Sequence, residues 1–164
     1  MPVKTWQEET MGGAFLVETQ ERNLAACLRA QDVEVIVKRL TPEPSADVVF
    51  KVKQGMVLVE RKAASDLLQS WITKQGSSTH LMSQIDRMLA TPHFRVILAV
   101  EGWYGLTEKG YLVTGTHNHR LLWDGLWNML SRVQAQGVHL QFAVDTPHLA
   151  HRLVSLREYW SKQK

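Results

Sequence analysis

Short apolar runs rich in β-branched residues alternate with stretches of helical periodicity along most of this chain. Runs of this kind predict strands, here over residues 14–18, 33–40, 47–60, 94–102 and 138–144. The third run predicts a hairpin, because Gln54 and Gly55 supply a turn in its middle. Apolar residues at helical spacing predict helices over 21–31, 64–71, 79–90, 119–136 and 147–160. Because strands and helices alternate, we expect an α/β domain with a central mixed β-sheet flanked by helices.

Length and composition restrict the class of protein. The 164 residues suffice for one domain with a full core, and we expect an N-terminal arm over 1–13 and a single domain over 14–164. No apolar run is long enough to cross a membrane, and the N-terminus lacks the apolar segment of a signal peptide. The single cysteine, Cys27, suits a reducing compartment. A net charge of +3 permits nucleic-acid binding without being diagnostic of it.

Residues 103–118 are punctuated by glycines and combine aromatic with basic side chains. We expect a loop or a small hairpin there. A DNA-contacting loop and an ordinary surface loop both fit this composition, and the two interpretations stay open.

Four carboxylates stand at the ends of predicted strands. Glu18 ends the first strand, Glu21 opens the helix after it, Asp47 begins the hairpin and Glu60 follows its apolar part. Strand ends lie close together in a compact sheet, so these acids can converge although they are distant in sequence. Converging carboxylates disfavour shared ionisation, and a hard divalent cation between them relieves the repulsion.

The segment Glu60-Arg61-Lys62 adds a geometric expectation. Residues i and i+2 of a strand share a face, so Glu60 and Lys62 are expected to face one site while Arg61 faces away. A metal-binding carboxylate beside an ammonium group is the minimal equipment for phosphodiester hydrolysis. Acids and Glu–Lys pairs at strand ends are also common surface features, and these residues alone favour that interpretation.

The longer stretch "VERKAASDLLQS" resembles the ERKxxxD signature of the XPF-type structure-specific endonucleases. The matching positions are Glu60, Arg61, Lys62 and Asp66, with Asp47 at the acid that opens the preceding hairpin. The chain departs from the family where Glu18 replaces an aspartate, Gln20 an arginine and Ala46 a glycine. Further along, Ser83-Gln84 resembles a Ser-Gln pair on the family's next helix, and His80 stands where the family usually has a basic residue.

The resemblance implies a restriction-endonuclease-like, PD-(D/E)XK nuclease core that uses Mg²⁺ or Mn²⁺. The implied metal ligands are Asp47, Glu60, the carbonyl of Arg61 and Glu18. Lys62 is expected to act on the attacking water or the phosphate, with Glu21 as a further catalytic acid. Asp66 and Arg61 are expected to support the site; an ion pair of Arg61, with Asp66 as candidate partner, and a plain structural salt bridge both stay open.

The resemblance also implies DNA as the partner, recognised by branches, flaps or junctions. Tentative DNA-binding residues are Lys74, Ser77, Ser78, His80 and Gln84. We expect a homodimer or a heterodimer with a related subunit, no membrane association and no tandem helix-hairpin-helix module. The expected compartment is a prokaryotic or phage-infected cytoplasm, or a eukaryotic nucleus. Two alternatives stay open: a DNA-binding scaffold that does not cut, and an unrelated enzyme that shares only the motif.

Overall fold

A six-stranded mixed sheet forms the centre of the molecule. The computed structural model describes residues 2–67, 81–102, 105–114 and 117–163. The sheet consists of β1 Phe15–Glu18, β2 Val35–Lys38, β3 Val48–Val52, β4 Gly55–Ala63, β5 Arg95–Glu101 and β9 His139–Ala143. A second sheet consists of β6 Gly105–Leu106, β7 Tyr111–Thr114 and β8 His117–Leu122. The helices are α1 Trp6–Met11, α2 Arg22–Arg29, α3 Leu81–Ala90, α4 Trp123–Ala135 and α5 Thr146–Lys162.

The strand order determines which strand ends meet. The order is β2-β1-β3-β4-β5-β9, with β3 antiparallel to both of its neighbours and the other pairs parallel. The carboxyl ends of β1, β4 and β5 therefore lie at the same end of the sheet as the start of β3. The acids that the sequence places at strand ends lie together at this end.

Side chains alternate between two buried faces of the sheet. One face packs against α3 and α4 and contains Leu16, Val49, Leu58 and Leu98. The other packs against α2 and α5 and contains Val17, Val48, Val59 and Ile97. We call these the α3/α4 face and the α2/α5 face. The expected α/β architecture, a mixed sheet covered by helices on both sides, is confirmed.

The structure differs from the sequence-based expectation in three segments. Strand β4 continues past Glu60 to Ala63, because it pairs with β5 up to the partners Ala63 and Glu101. The predicted helix 119–136 begins only at Trp123, because residues 117–122 pair with β7. The arm contains α1, whose N-terminus is closed by a capping box between Thr5 and Glu8.

The helix predicted after Lys62 is only partly within the described residues. Residues 64–67 are helical, with Leu67 buried in the core of the α3/α4 face. Leu68 and Trp71 of the predicted helical stripe lie outside the described residues. Among the helices that the structure describes, none has the length and apolar character needed to cross a membrane.

Candidate active site

The strand register aligns three acids across the sheet. Val17 pairs with Val48, and Val48 with Val59. Glu18 and Glu60 follow Val17 and Val59, and Asp47 precedes Val48 on the antiparallel strand. These three acids therefore lie side by side on the α3/α4 face. Main-chain bonds support this: the N–H of Glu18 donates to the Asp47 carbonyl at 2.8 Å, and the N–H of Asp47 to the Val59 carbonyl at 2.9 Å.

Glu60 and Lys62 form an ion pair on this face. The Nζ atom of Lys62 lies 2.9 Å from Oε1 of Glu60, and the two side chains are only 13% and 6% exposed. The strand alternation predicts this arrangement, because positions i and i+2 share a face. The contact holds the ammonium group beside the carboxylate and shields both from water.

Asp47 and Glu60 make an electrostatically unfavourable pair. Burial, followed by the negative charge of Glu60, raises the pKa of Asp47 to about 8. Burial also raises the pKa of Glu60, although Lys62 offsets part of that effect. A further acid, Glu21, contributes to both increases through its charge. The two carboxyl groups therefore hold negative charge at a cost that a bound cation would remove.

This donor set fits one magnesium-like ion. Within the described ranges, no group of three or more His, Cys, Asp or Glu side chains forms a metal site. Mg²⁺ needs fewer protein ligands, since it commonly binds through one or two carboxylates and completes about six positions with water and phosphate oxygens. Asp47 and Glu60 would supply the two carboxylates. The main chain of Arg61 lies next to them, because its N–H donates to Oδ2 of Asp47 at 2.8 Å.

Arg61 points to the α2/α5 face, as the alternation predicts. Its Nε and Nη2 atoms donate to the two carboxylate oxygens of Glu101 at 2.9 and 2.7 Å, and Nη1 donates to Glu21 at 3.1 Å. These bonds to Glu101, together with nearby negative charge, raise the pKa of Arg61 despite its partial burial. The suggestion of Asp66 as the partner of Arg61 is wrong; Asp66 is exposed in the helical turn at 64–67.

Glu18 lies in the row of acids but is bonded to the backbone around it. Its Oε1 accepts from the N–H and the hydroxyl of Thr19, and its Oε2 accepts from the N–H of Leu40 at 2.6 Å. Burial alone would raise the pKa of Glu18, but these hydrogen bonds outweigh it and lower the pKa. Oε1 thus bonds to the residue that follows β1 and Oε2 to the chain after β2, and this does not favour the predicted role of Glu18 as a metal ligand.

The tentative DNA-binding residues are mostly beyond the described ranges. Lys74, Ser77, Ser78 and His80 lie outside them. Gln84 lies on α3, and its buried Oε1 has no hydrogen-bond partner among the residues that the structure describes. Its predicted contact with DNA stays a prediction.

Three residues near the site were not singled out from the sequence. Glu101 ends an apolar strand, so the rule that selected Glu18 and Glu60 would also have found it. Thr146 contacts Glu101, a contact with no sequence signal. The positive charge of Arg87, on α3, offsets a small part of the rise in the pKa of Glu60.

A family model for the ERCC4 domain matches residues 16–156 of this chain. The chain belongs to the ERCC4-domain family. The predicted relation to the XPF-type nucleases is thereby confirmed, and so is the restriction-endonuclease-like fold of this ERCC4 domain. The matched range contains all the acids of the candidate active site together with Lys62. No curated protein matches the chain significantly.

Solved structures resemble the whole ERCC4 domain in fold. XPF from Aeropyrum pernix superposes with a TM-score of 0.67 and 23% identity, covering 92% of this chain and 66% of that one. XPF from Aeropyrum pernix in complex with DNA gives a TM-score of 0.66 and 23% identity, covering 91% of this chain and 65% of that one. The chain thus spans about two thirds of these XPF chains. At this identity the likeness establishes the fold.

Proposed function

We propose that this ERCC4 domain is a metal-dependent DNA endonuclease that hydrolyses phosphodiester bonds near branches, flaps or junctions. The observation that carries the proposal is the buried group of Asp47, Glu60 and Lys62, in which two acids with raised pKa values adjoin one ammonium. Family membership supports nuclease activity, and the DNA complex of a related XPF supports DNA as the partner.

Asp47, Glu60 and the carbonyl of Arg61 would hold Mg²⁺ or Mn²⁺. When bound, such an ion would supply Lewis-acid activation of water and neutralise charge on the phosphate. The residues around it have separate tasks. Lys62, fixed by Glu60 at 2.9 Å, orients the attacking water or stabilises the charge that develops on the phosphate. The family resemblance implies products with 5′-phosphate and 3′-hydroxyl ends.

Substrate choice by DNA shape is part of the same proposal. Contacts to phosphates and to bent or branched geometry carry little base information, which suits a nuclease that acts on junctions. The tentative contacts Lys74, Ser77, Ser78, His80 and Gln84 all follow the motif strand in sequence. They are therefore the positions at which we propose that substrate geometry is recognised.

A cleavage assay tests the proposal. Labelled flap, fork, four-way junction and linear duplex DNA are incubated with Mg²⁺ or Mn²⁺, using wild type, Glu60→Gln and Lys62→Ala. The matched controls are Glu34→Gln and Lys53→Ala, two exposed residues at the opposite end of the sheet. We expect wild type and controls to cut branched DNA and both site variants to lose cutting. DNA binding that resists chelation, with no cutting by wild type, would instead support the non-cutting scaffold.

We also propose that the chain dimerises through the β9 edge of the main sheet. Phe142 on β9 and Val144 just after it are 41% and 67% exposed, and Trp127 on α4 lies beside Phe142 with ring centroids 6.4 Å apart. An apolar patch at a sheet edge suits association with a second copy. Phe142→Lys should shift the mass measured by light scattering from dimer to monomer, and Leu106→Lys, on the second sheet, should not. A wild-type monomer would contradict a homodimer and direct the search to a related subunit.

A further inference from the structure

Behind the proposed catalytic group lies a second set of charged and polar residues on the α2/α5 face. We call Arg61, Glu21, Glu101 and Thr146 the Arg61 network. Its centre is a bidentate pair, in which Arg61 donates to both oxygens of Glu101 at 2.9 and 2.7 Å. The side chains of Arg61 and Glu101 are only 22% and 11% exposed. Bidentate geometry fixes the direction of the guanidinium as well as its distance.

Thr146 completes the bonding of Glu101. Its hydroxyl donates to Oε1 of Glu101 at 2.7 Å, so this oxygen accepts from both Thr146 and Arg61. Thr146 is the first residue of α5, while Glu101 ends β5. The carboxylate is therefore held from two elements, and its orientation does not depend on Arg61 alone. Burial alone would raise the pKa of Glu101, but these hydrogen bonds lower it.

The Arg61 network reaches the proposed metal site in two ways. The backbone N–H of Arg61 donates to Oδ2 of Asp47 at 2.8 Å, so a shift of the Arg61 main chain would move a hydrogen bond of that acid. On the other side, Nη1 of Arg61 holds Glu21 at 3.1 Å. Glu21 precedes α2 and lies close enough to raise the pKa of both Asp47 and Glu60 through its charge.

We propose that Glu101 and Thr146 are positioning residues for the nuclease reaction: they orient Arg61, which places its main chain against Asp47 and fixes the carboxylate of Glu21. The inference rests on the function proposed above and adds residues outside the ERKxxxD motif to it. Neither residue touches the reacting atoms. Outer partners of metal ligands commonly change metal affinity or activity by about 10- to 100-fold.

Three variants separate positioning from stability. Thr146→Val removes the hydroxyl while keeping the shape, and Thr146→Ser keeps the hydroxyl. Glu101→Gln keeps the volume but replaces an acceptor of Arg61 with a donor. We expect Glu101→Gln to lower kcat by about 10- to 100-fold with little change in KM for DNA. Thr146→Val should lower kcat by a smaller factor, about threefold or more, and Thr146→Ser should restore it.

Two further readouts do not depend on turnover. Mn²⁺ affinity of the metal-free protein, measured by electron paramagnetic resonance, should weaken in Glu101→Gln and Thr146→Val and recover in Thr146→Ser. The backbone amide resonance of Arg61, measured by ¹⁵N NMR, should shift in the same two variants. A residue that only stabilises the fold would lower the unfolding midpoint without moving either readout.

The outcomes distinguish the two proposals. If wild type cuts DNA and binds Mn²⁺ while Glu101→Gln and Thr146→Val do so equally well, the positioning role is wrong and the nuclease proposal stands. If wild type neither cuts nor binds Mn²⁺, the nuclease proposal fails and the positioning role falls with it. If Glu101→Gln does not fold, the Thr146 pair decides, because Thr146 loses one hydroxyl at the start of a helix.

Discussion

Each face of strand β4 carries a group of two acids and one base, and the pKa shifts of the acids Asp47 and Glu101 in these two groups have opposite directions. On the α3/α4 face two acids, Asp47 and Glu60, adjoin one base, Lys62. On the α2/α5 face two acids, Glu21 and Glu101, adjoin one base, Arg61. Yet the pKa of Asp47 is raised to about 8, while that of Glu101 is lowered.

Hydrogen bonding explains the difference. Both oxygens of Glu101 accept charge-assisted bonds from Arg61, and Thr146 adds a third donor. Asp47 accepts one main-chain N–H and lies against another buried acid. The acids of the Arg61 network are satisfied by hydrogen bonds within the protein. The repulsion between Asp47 and Glu60 is relieved only when a cation or a proton binds. The number of charges is the same in the two groups and does not distinguish them. The number and geometry of the hydrogen-bond donors do distinguish them.

The largest expected effect concerns Lys62. Lys62→Met keeps the aliphatic part of the side chain and removes the charge that is proposed to act on the water or the phosphate, so we expect cleavage to fall by roughly three orders of magnitude. Cleavage of a fork or flap substrate under Mg²⁺ measures this, with Lys53→Met as the control in the hairpin turn. Cutting within about tenfold of wild type would show that the ammonium is dispensable.

The second largest expected effect is a loss of stability when Arg61, on the α2/α5 face, is replaced. Arg61→Met leaves the buried Glu101 and the half-buried Glu21 without their common partner, so we expect the free energy of unfolding to fall by about 3 kcal/mol. Urea unfolding of the metal-free protein measures this. Asp47→Asn replaces a carboxyl group that is mostly protonated at neutral pH by a neutral amide, so it should not destabilise the protein under the same conditions. An equal loss of unfolding free energy in both variants would mean that the charged groups on the two faces do not differ in their contribution to stability.

The pH dependence of stability gives a third test. The pKa of Asp47 is about 8 in the folded protein, against an ordinary value of 3.8, so between these values the folded state holds more protons than the unfolded state. Stability of the metal-free protein should therefore decrease as pH rises from about 4 to about 8. Unfolding midpoints in EDTA should show this decrease in wild type and a smaller one in Asp47→Asn. An unchanged slope would contradict the assignment to Asp47.

The smallest effect concerns Glu18. Because both of its oxygens accept hydrogen bonds from Thr19 and Leu40, Glu18→Gln should lower the free energy of unfolding by about 1 kcal/mol. Mn²⁺ affinity should stay within about twofold of wild type, whereas Glu60→Gln should weaken it by at least about tenfold. Isothermal titration calorimetry compares the two variants directly. A large loss of affinity in Glu18→Gln would restore Glu18 as a metal ligand.

Much of the central sheet follows from local sequence signals. Apolar runs and the turn at Gly55 predict the strands of the main sheet, and strand alternation predicts the opposite directions of Lys62 and Arg61. The start of α4 was missed because residues 119–122 fit a helical stripe yet pair with β7. Tertiary pairing outweighs local periodicity in such segments.

Contacts in the site could be predicted from the sequence only between residues that one hairpin or one strand brings together. Asp47 and Glu60 lie on one hairpin, so their convergence follows from register. Nearness in sequence makes Asp66 the candidate partner of Arg61, whereas its bidentate partner Glu101 is forty positions away. That contact depends on the parallel pairing of β4 and β5, which the motif does not encode.

The most direct test of the central claim is a carboxyl titration by ¹³C NMR, with and without Mg²⁺. In the metal-free protein Asp47 should titrate near a pKa of about 8 and Glu101 below its ordinary value of 4.5. Addition of Mg²⁺ should move Asp47 to a much lower pKa and leave Glu101 in place. If Asp47 titrates near 3.8 without metal and does not respond to Mg²⁺, Asp47 and Glu60 do not form a cation-binding pair, and the central claim is contradicted.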